Sequence, residues 1–582
     1  MEYLISNERN VQIVLSLLKE HHIKKVIASP GATNITFIAS MQQDPHFEMY
    51  SCVDERSAAY IACGLAAESG EPVVLSCTGA TSSRNYMPAL TEAYYRKLPI
   101  IAITSSQVNE RIGHLSAQCT DRRFLPKDVA KLSVQLPPIK VDSDIRVCEL
   151  RVNQALLECK RHGGGPVHLN LCTTYCPVYD TKTLPKCNVI NRIVPSSKFP
   201  DLPQGRIGIF VASHKKWSKD ETEVVEQFCE SNNAVVFCDH TSGYKGKYRM
   251  LFAYAASQEH KYYNALNPDL LIHIGEVSGD YYSLRLLGKQ CWRVNPDGEI
   301  RDKFGNLSVI FEMDEIDFFK KYIGSKKLNT YFEECMACDK EVRDKLPQLP
   351  FSNIWMASIL APALPEKSVL HLGILNSLRS WNFFEIPNSV MSYSNVGGFG
   401  IDGDISSLVG ASLAAPDKLF FGVLGDLAFF YDLNVLGNHH IKNNIRLLLI
   451  NNGRGTEFRN YGHQASFLGN DVDKYVAAAG HFGNKSRDLI QHFSDDLGFE
   501  YMTADSKETF LAQYQRFLSN EKLDKPILFE VFTDSTDESE ALRLMRNTIV
   551  DNNKNIKSAV KDVVKEFLPE KAVKTIKKIM NN

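Results

Sequence analysis

Residues 420–458 hold the pattern that most limits what this chain can fold into. An apolar run from Phe420 to Leu424 stops at Gly425-Asp426, a polar helix-like segment follows, and a second apolar run at 447–450 stops at Asn451-Asn452. Short unbroken apolar runs of this kind are strands covered on both faces, joined by a helix in a parallel sheet. In such a sheet the strand C-termini converge on the ligand crevice. There Asp426 offers a carboxylate, Asn452 an amide oxygen, and the next turn a backbone carbonyl, that of Arg454. This oxygen-only set suits Mg²⁺, which keeps positions open for phosphate oxygens and water. Gly425 lets the backbone approach a diphosphate, and the following helix N-terminus favours an anion. On the residues alone, the pattern equally fits a plain βαβ unit whose Asp and Asn cap helices or turns.

The rest of the chain repeats this α/β alternation. Residues 11–20 have helical periodicity, 25–28 form a short buried strand, and Ser29-Pro30-Gly31-Ala32-Thr33-Asn34 is a loop entering a helix. A strand at 49–53 leads into Asp54-Glu55-Arg56-Ser57-Ala58, which opens a helix of small residues. Glu55 thus sits at a strand-to-helix junction, where a carboxylate also serves as a plain dipole partner. His114 and Gln118 follow the strand at 100–104, and His114 is equally a surface loop histidine. In the middle of the chain, the strand beginning at Arg206 is followed by Ser213-His214-Lys215-Lys216-Trp217. That is not the glycine-rich turn a nucleotide or flavin needs, so a middle domain without FAD is expected. Residues 556–568 read as an amphipathic helix with a lysine-rich outer face, a packing or oligomer helix.

The 425–452 segment resembles the thiamine-diphosphate motif, Gly-Asp-Gly followed by Asn-Asn, of the acetolactate synthase and pyruvate decarboxylase superfamily. Leu427 stands here in place of the third residue, Gly. With Tyr431-Asp432-Leu433-Asn434 behind it, this variant resembles the menaquinone-pathway synthases, which join a decarboxylated 2-oxoglutarate to isochorismate. The order Ser29-Pro30-Gly31, Asp54-Glu55-Arg56, Thr78-Gly79-Ala80 and Asn85-Tyr86-Met87-Pro88 is similar to the pyrimidine-binding domain of the same superfamily.

The resemblance implies an α/β protein of three doubly wound parallel-sheet domains. These are a pyrimidine-binding domain at 1–183, a linker at 184–203, a middle domain at 204–345, a diphosphate- and Mg²⁺-binding domain at 350–545, and a helical tail at 546–582. It implies thiamine diphosphate held by Glu55, Thr78, Gly79, Asn376, Ser377, Gly400, Ile401, Gly425, Asp426, Leu427, Ala428, Asn452 and Thr456. Mg²⁺ would lie on Asp426, Asn452 and the Arg454 carbonyl. Glu55 would share a proton with the cofactor's aminopyrimidine ring, and Gln118 and His114 would join it in catalysis. Ile401 would support the bent cofactor shape, and Arg285 would face the active site or the surface. A homodimer or homotetramer with active sites at the subunit interface is expected.

Two arginines with which the menaquinone synthases grip their substrates align with Thr33 and Val396. Neither supplies a guanidinium's bidentate pairing. The reading therefore favours a carboligase that decarboxylates pyruvate or a similar 2-oxoacid and transfers the acyl unit to a carbonyl or other electrophilic acceptor, a sugar-derived one among them. The alternatives are a simple 2-oxoacid decarboxylase, the menaquinone-pathway synthase itself, and a non-catalytic relative.

Composition narrows the classes. With 582 residues the chain has room for several domains, and a net charge of −2 gives no footprint for nucleic acid. The first residues, Met-Glu-Tyr-Leu-Ile-Ser, lack the basic start and apolar core of a signal peptide, and no apolar run approaches a membrane span. Fourteen cysteines without framework spacing fit reduced thiols in a cytoplasmic protein; Cys335 and Cys338 are the one close pair.

Overall fold

The computed structural model describes residues 4–480, 486–521 and 523–549. The expected tail helix at 556–568 lies outside them. The α/β reading holds: every strand pairing in the sheets is parallel, and helices interleave with the strands. The chain forms two compact units, Met1–Lys198 with Gly298–Glu312, and Phe199–Asp297 with Met313–Asn582.

In the first unit six strands stand in the order Glu48–Ser51, Lys25–Ala28, Val73–Thr78, Ile100–Ser106, Val167–Cys172 and Leu132–Leu136. Val73–Cys77, Ile100–Ser106 and Val167–Cys172 are buried throughout, because helices cover both faces. Helix Arg9–Glu20 turns Val11, Val14, Leu15 and Leu18 into that core. Within the stretch read as a linker, Asn191–Ile193 forms a short strand paired with Leu307–Phe311.

The second unit carries two parallel arrays. One runs Arg249–Leu251, Ala234–Cys238, Ile207–Val211, Leu270–Ile274 and Gln290–Val294. The other runs Met391–Tyr393, Val369–Leu372, Phe420–Gly425, Ile445–Asn451, Ile527–Phe532 and Glu500–Ala504. In the latter, Phe420 pairs with Ile445 and Gly425 with Ile450, so the two polar exits leave side by side. The link between them, read as a polar helix-like segment, is helical only in part. It is the short helix Asp426–Asp432, a 3-10 turn at Leu433–Gly437, and then irregular chain around Asn438 and two histidines. Among the described residues no helix is long and apolar enough to cross a membrane.

In each of these six-stranded sheets the strand order reverses beside the strand that enters it first, which opens a crevice at the carboxyl ends. At both crevices a side-chain-bearing residue takes nearly the same rare backbone conformation. Ala80 (φ 58, ψ −130) follows Val73–Thr78, and Leu375 (φ 66, ψ −121) follows Val369–Leu372. Such conformations cost ~1–3 kcal/mol and persist where the surroundings enforce them.

Candidate active site

In the first unit Glu55 opens the helix Glu55–Ser69, whose cap Asp54 accepts a hydrogen bond from Arg56 N–H. Ala58, Ala59, Ala62 and Ala66 are buried beneath it, small enough to let the helix lie close to the sheet. Glu55 itself is half-buried, and its charge adds to the burial that pushes the Cys77 thiol up to about 12. Thr78 ends the neighbouring strand. Gly79 follows where a Cβ would fall 2.6 Å from Arg122 Nη1, so no larger residue fits there without moving the guanidinium. His114 and Gln118 are exposed on the loop after Ile100–Ser106, and Gln118 has φ 61. Thr33 is buried, and its hydroxyl donates to the Ser105 carbonyl at 2.6 Å.

The second unit gathers most of the remaining nominated residues around one cavity of ≈ 210 Å³. Asn376 and Ser377 open the helix Asn376–Trp381 that follows Val369–Leu372, and Gly425, Asp426, Leu427 and Ala428 come from the exit of Phe420–Gly425. Asn452, Arg454 and Thr456 come from the exit of Ile445–Asn451, and Ile401 closes one side. Gly400 precedes Ile401 without lining the cavity.

Among the described residues the polar groups here are met only in part. Asp426 is 4% exposed, accepts a hydrogen bond from Leu427 N–H and pairs with no cation among the described residues; burial pushes its carboxyl up to about 7. The Asn452 Oδ1 is buried without a hydrogen-bond partner among the described residues. Nothing lies within 4 Å of where a Cβ on Gly425 would project. Arg454 commits its guanidinium to Asp473 at 2.6 Å, so any part it takes in holding a cation falls to its carbonyl. A buried carboxylate without a cation among the described residues, an amide oxygen without a hydrogen-bond partner among them and an open backbone fit a hard cation and a diphosphate. Among the described residues no group of three or more His, Cys, Asp and Glu is arranged to hold a metal, Cys335 and Cys338 included. A site at Asp426 would be of another kind, one carboxylate with neutral oxygens.

Sequence reasoning missed Glu538 and the part played by Glu457. Both line this cavity. Glu538 accepts from Asn353 N–H with both oxygens (3.0 and 3.1 Å), and burial pushes its carboxyl up to about 7. Glu457 receives Arg379 Nη1 at 2.8 Å and a hydrogen bond from Tyr281. With its amide turned toward Glu457, Asn376 donates to the Glu457 Oε2 at 2.7 Å and accepts from its N–H at 3.0 Å. Glu538 lies in a run of acidic residues opening a helix, which reads as ordinary dipole pairing.

The middle array has its own crevice, lined by Ser213, His214, Glu276, Asn295, Asp297 and Glu315 among others. His214 Nε2 meets Glu315 Oε2 at 2.6 Å, and its ring stacks on Trp217 with centroids 4.3 Å apart. Burial works against the His214 imidazolium, but the bond and charge of Glu315 outweigh it and hold its pKa above the ordinary value.

Residues 9–124 match the family described as thiamine pyrophosphate enzyme, N-terminal TPP binding domain. The chain is 30% identical over 568 residues to 2-succinyl-5-enolpyruvyl-6-hydroxy-3-cyclohexene-1-carboxylate synthase of Bacteroides thetaiotaomicron, covering 93% of this chain and 98% of that one. The synthase of the same name from Bacteroides fragilis is 30% identical over 566 residues, covering 93% and 99%. That from Flavobacterium psychrophilum is 26% identical over 557 residues, covering 90% and 95%. The chain therefore belongs to the thiamine-diphosphate-dependent enzymes, in the family of these carboxylate synthases.

Proposed function

We propose that this chain is a Mg²⁺-requiring synthase that decarboxylates a 2-oxoacid and joins the remaining acyl unit to an electrophilic acceptor. The observation that carries the reading is the buried, cation-free Asp426 carboxyl beside the orphaned Asn452 oxygen, where two parallel strands end. Asp426, Asn452 and the Arg454 carbonyl would hold Mg²⁺, and Gly425, Asn376, Ser377 and Thr456 would surround the diphosphate it bridges. Ile401 would press the cofactor into its bent shape. Bound there, thiamine diphosphate supplies the carbon nucleophile and the sink for the electron pair released with CO₂.

Glu55 would hold a proton against a ring nitrogen of the pyrimidine, with Gln118 and His114 reaching the substrate from the same unit. In this reading Glu55 and Asp426 of one active site come from different copies in a dimer or tetramer. Support comes from apolar side chains left in solvent beside Glu55, with Val53 77% and Ile61 51% exposed, which a partner surface would cover.

For the substrates, the names of the relatives support 2-oxoglutarate with isochorismate ahead of pyruvate with a carbonyl acceptor. One observation favours the second pair: Thr33 spends its hydroxyl inside the fold and Val396 is 3% exposed, so neither position offers a charge to a carboxylate. Incubating the protein, thiamine diphosphate and Mg²⁺ with each oxoacid, with and without isochorismate, separates the two. The first reading predicts acceptor-dependent consumption of 2-oxoglutarate; turnover of pyruvate alone would overturn it. Glu55→Gln should cut turnover ~100-fold or more while leaving cofactor affinity within a few-fold, and a variant with normal turnover would remove Glu55 from the reaction.

A further inference from the structure

The short turn Gly373-Ile374-Leu375 carries the chain from Val369–Leu372 to Asn376 and Ser377, and Leu375 holds φ 66 there. Behind it lies a cavity of ≈ 10 Å³, walled by apolar side chains such as Leu408, Val423 and Leu447 but also by His371, Ser394 and Asp404. His371 Nε2, Ser394 Oγ and Asp404 Oδ2 are buried, and none has a hydrogen-bond partner among the described residues. Burial pushes the His371 imidazole down to about 4, so the ring is neutral at pH 7. A space of this size holds one water, and a buried water makes about three hydrogen bonds. The three unmet atoms supply that number; left unmet, each costs ~1–3 kcal/mol.

Asp404 reaches beyond this cavity. It opens the helix Asp404–Ala414, is 8% exposed, and receives the Ile374 N–H. A Cβ on Gly373 would fall 3.1 Å from Asp404 Oδ2, so glycine lets the turn pass close to the carboxyl. On the other side stands Asp432, the last residue of the helix that Asp426 begins; its carboxylate accepts the Ser406 N–H at 2.6 Å and the Ser406 hydroxyl at 2.5 Å. Burial, then the charges of Asp432 and Asp402, push the Asp404 carboxyl up to about 7. Phe420–Gly425 and Leu433–Gly437, which also pack on this helix, bring no charge. Asp404 therefore stands between the turn that leads to Asn376 and Ser377 and the helix that begins at Asp426.

We propose that Asp404 is a positioning residue of the cofactor site: through the Ile374 N–H and one buried water shared with His371 and Ser394, it fixes the turn that presents Asn376 and Ser377 to the diphosphate. The inference rests on the reading of the cavity lined by Ile374 and Leu375 as the cofactor site. Asp404 acts as the acid, since a carboxylate would stand against Asp432 and against a diphosphate. Cofactor binding then favours the protonated form, and its contribution is lost as pH rises through about 7.

The test is a calorimetric titration of thiamine diphosphate, with excess Mg²⁺, into wild type, Asp404→Leu and Asp404→Asn, after thermal unfolding has established that each variant folds. Leucine removes the hydrogen bonds at similar size; asparagine keeps them without the charge. Asp404→Leu should bind the cofactor about tenfold more weakly, and Asp404→Asn within about twofold of wild type. The ratio of wild-type to Asp404→Asn affinity should fall as pH rises through about 7, because only the wild type loses its acid. Undiminished binding in Asp404→Leu, an asparagine variant as weak as the leucine one, or a ratio independent of pH overturns the proposal. If Asp404→Leu does not fold, Ser394→Ala decides in its place: taking one partner from the water, it should weaken the cofactor about threefold or more, and unchanged affinity overturns the proposal. A wild type without saturable binding overturns the cofactor reading and this inference with it, whereas the other contrary results, obtained with a wild type that binds, overturn the inference alone.

Discussion

The second unit contains two crevices of the same topology with opposite chemistry. Both lie at the carboxyl ends of parallel strands where the strand order reverses, one between Ile207–Val211 and Leu270–Ile274, the other between Val369–Leu372 and Phe420–Gly425. The middle crevice, a cavity of ≈ 640 Å³, pairs its histidine with a carboxylate. The pair is His214 with Glu315, the ring stacks on Trp217, and Lys215, Glu276, Asp297 and Asp314 share the lining. The other leaves Asp426 without a cation and Asn452 Oδ1 without a donor, and opens its backbone at Gly425. The fold thus supplies the crevice, and a few polar residues at its rim set the chemistry it can hold.

The largest expected effect breaks the open crevice. Saturating thiamine diphosphate with Mg²⁺ should raise the melting temperature of the wild type, since a ligand at a hundred times its Kd contributes ~2.7 kcal/mol. Asp426→Ala should lose nearly all of that shift; an equal shift in the variant would move the cofactor elsewhere.

Next comes Glu538, which lines the open crevice. Its folded pKa, about 7, is raised above the ordinary glutamate value. Such a group stabilises the fold fully below its unfolded pKa, and that contribution is lost as pH rises through about 7. Glu538→Gln should therefore flatten the decline between pH 5 and 8 and at pH 8 exceed the wild type by ~1–3 kcal/mol. Parallel pH profiles of urea unfolding would remove Glu538 as the source of the decline.

A smaller effect sharpens the contrast. His214→Ala should cost ~1–2 kcal/mol at pH 6, where the raised His214 pKa keeps the pair charged, and less as pH rises through that pKa. Cofactor affinity should not change. A weakened cofactor in this variant would show that the middle crevice takes part in binding after all.

How much of this the sequence revealed follows from where each signal lies. Phe420–Gly425 and Ile445–Asn451 were legible because burial on both faces, the polar exits and the glycine are all local. The segment between them was read only as helix-like, and its helix runs from Asp426 to Asp432 before a 3-10 turn at Leu433–Gly437. The pairing of Asn191–Ile193 with Leu307–Phe311 joins segments more than a hundred residues apart, which no local pattern encodes. A second cavity, of ≈ 470 Å³, is the clearest case. Tyr281 and Arg285, Arg379, Glu457 and Arg546 line it from four separate elements, and each alone reads as a surface or capping residue. The backbone strain at Ala80 and Leu375 is equally silent in sequence, since neither residue type announces a positive φ.

The most direct test of the central claim is a calorimetric titration of thiamine diphosphate into wild type and Asp426→Ala, each with excess Mg²⁺ and with a chelator. Wild type should bind one cofactor per chain only when the metal is present, and Asp426→Ala should show no saturable heat in either condition. Metal-independent binding, or binding undiminished in Asp426→Ala, would contradict the assignment of the open crevice as the diphosphate site.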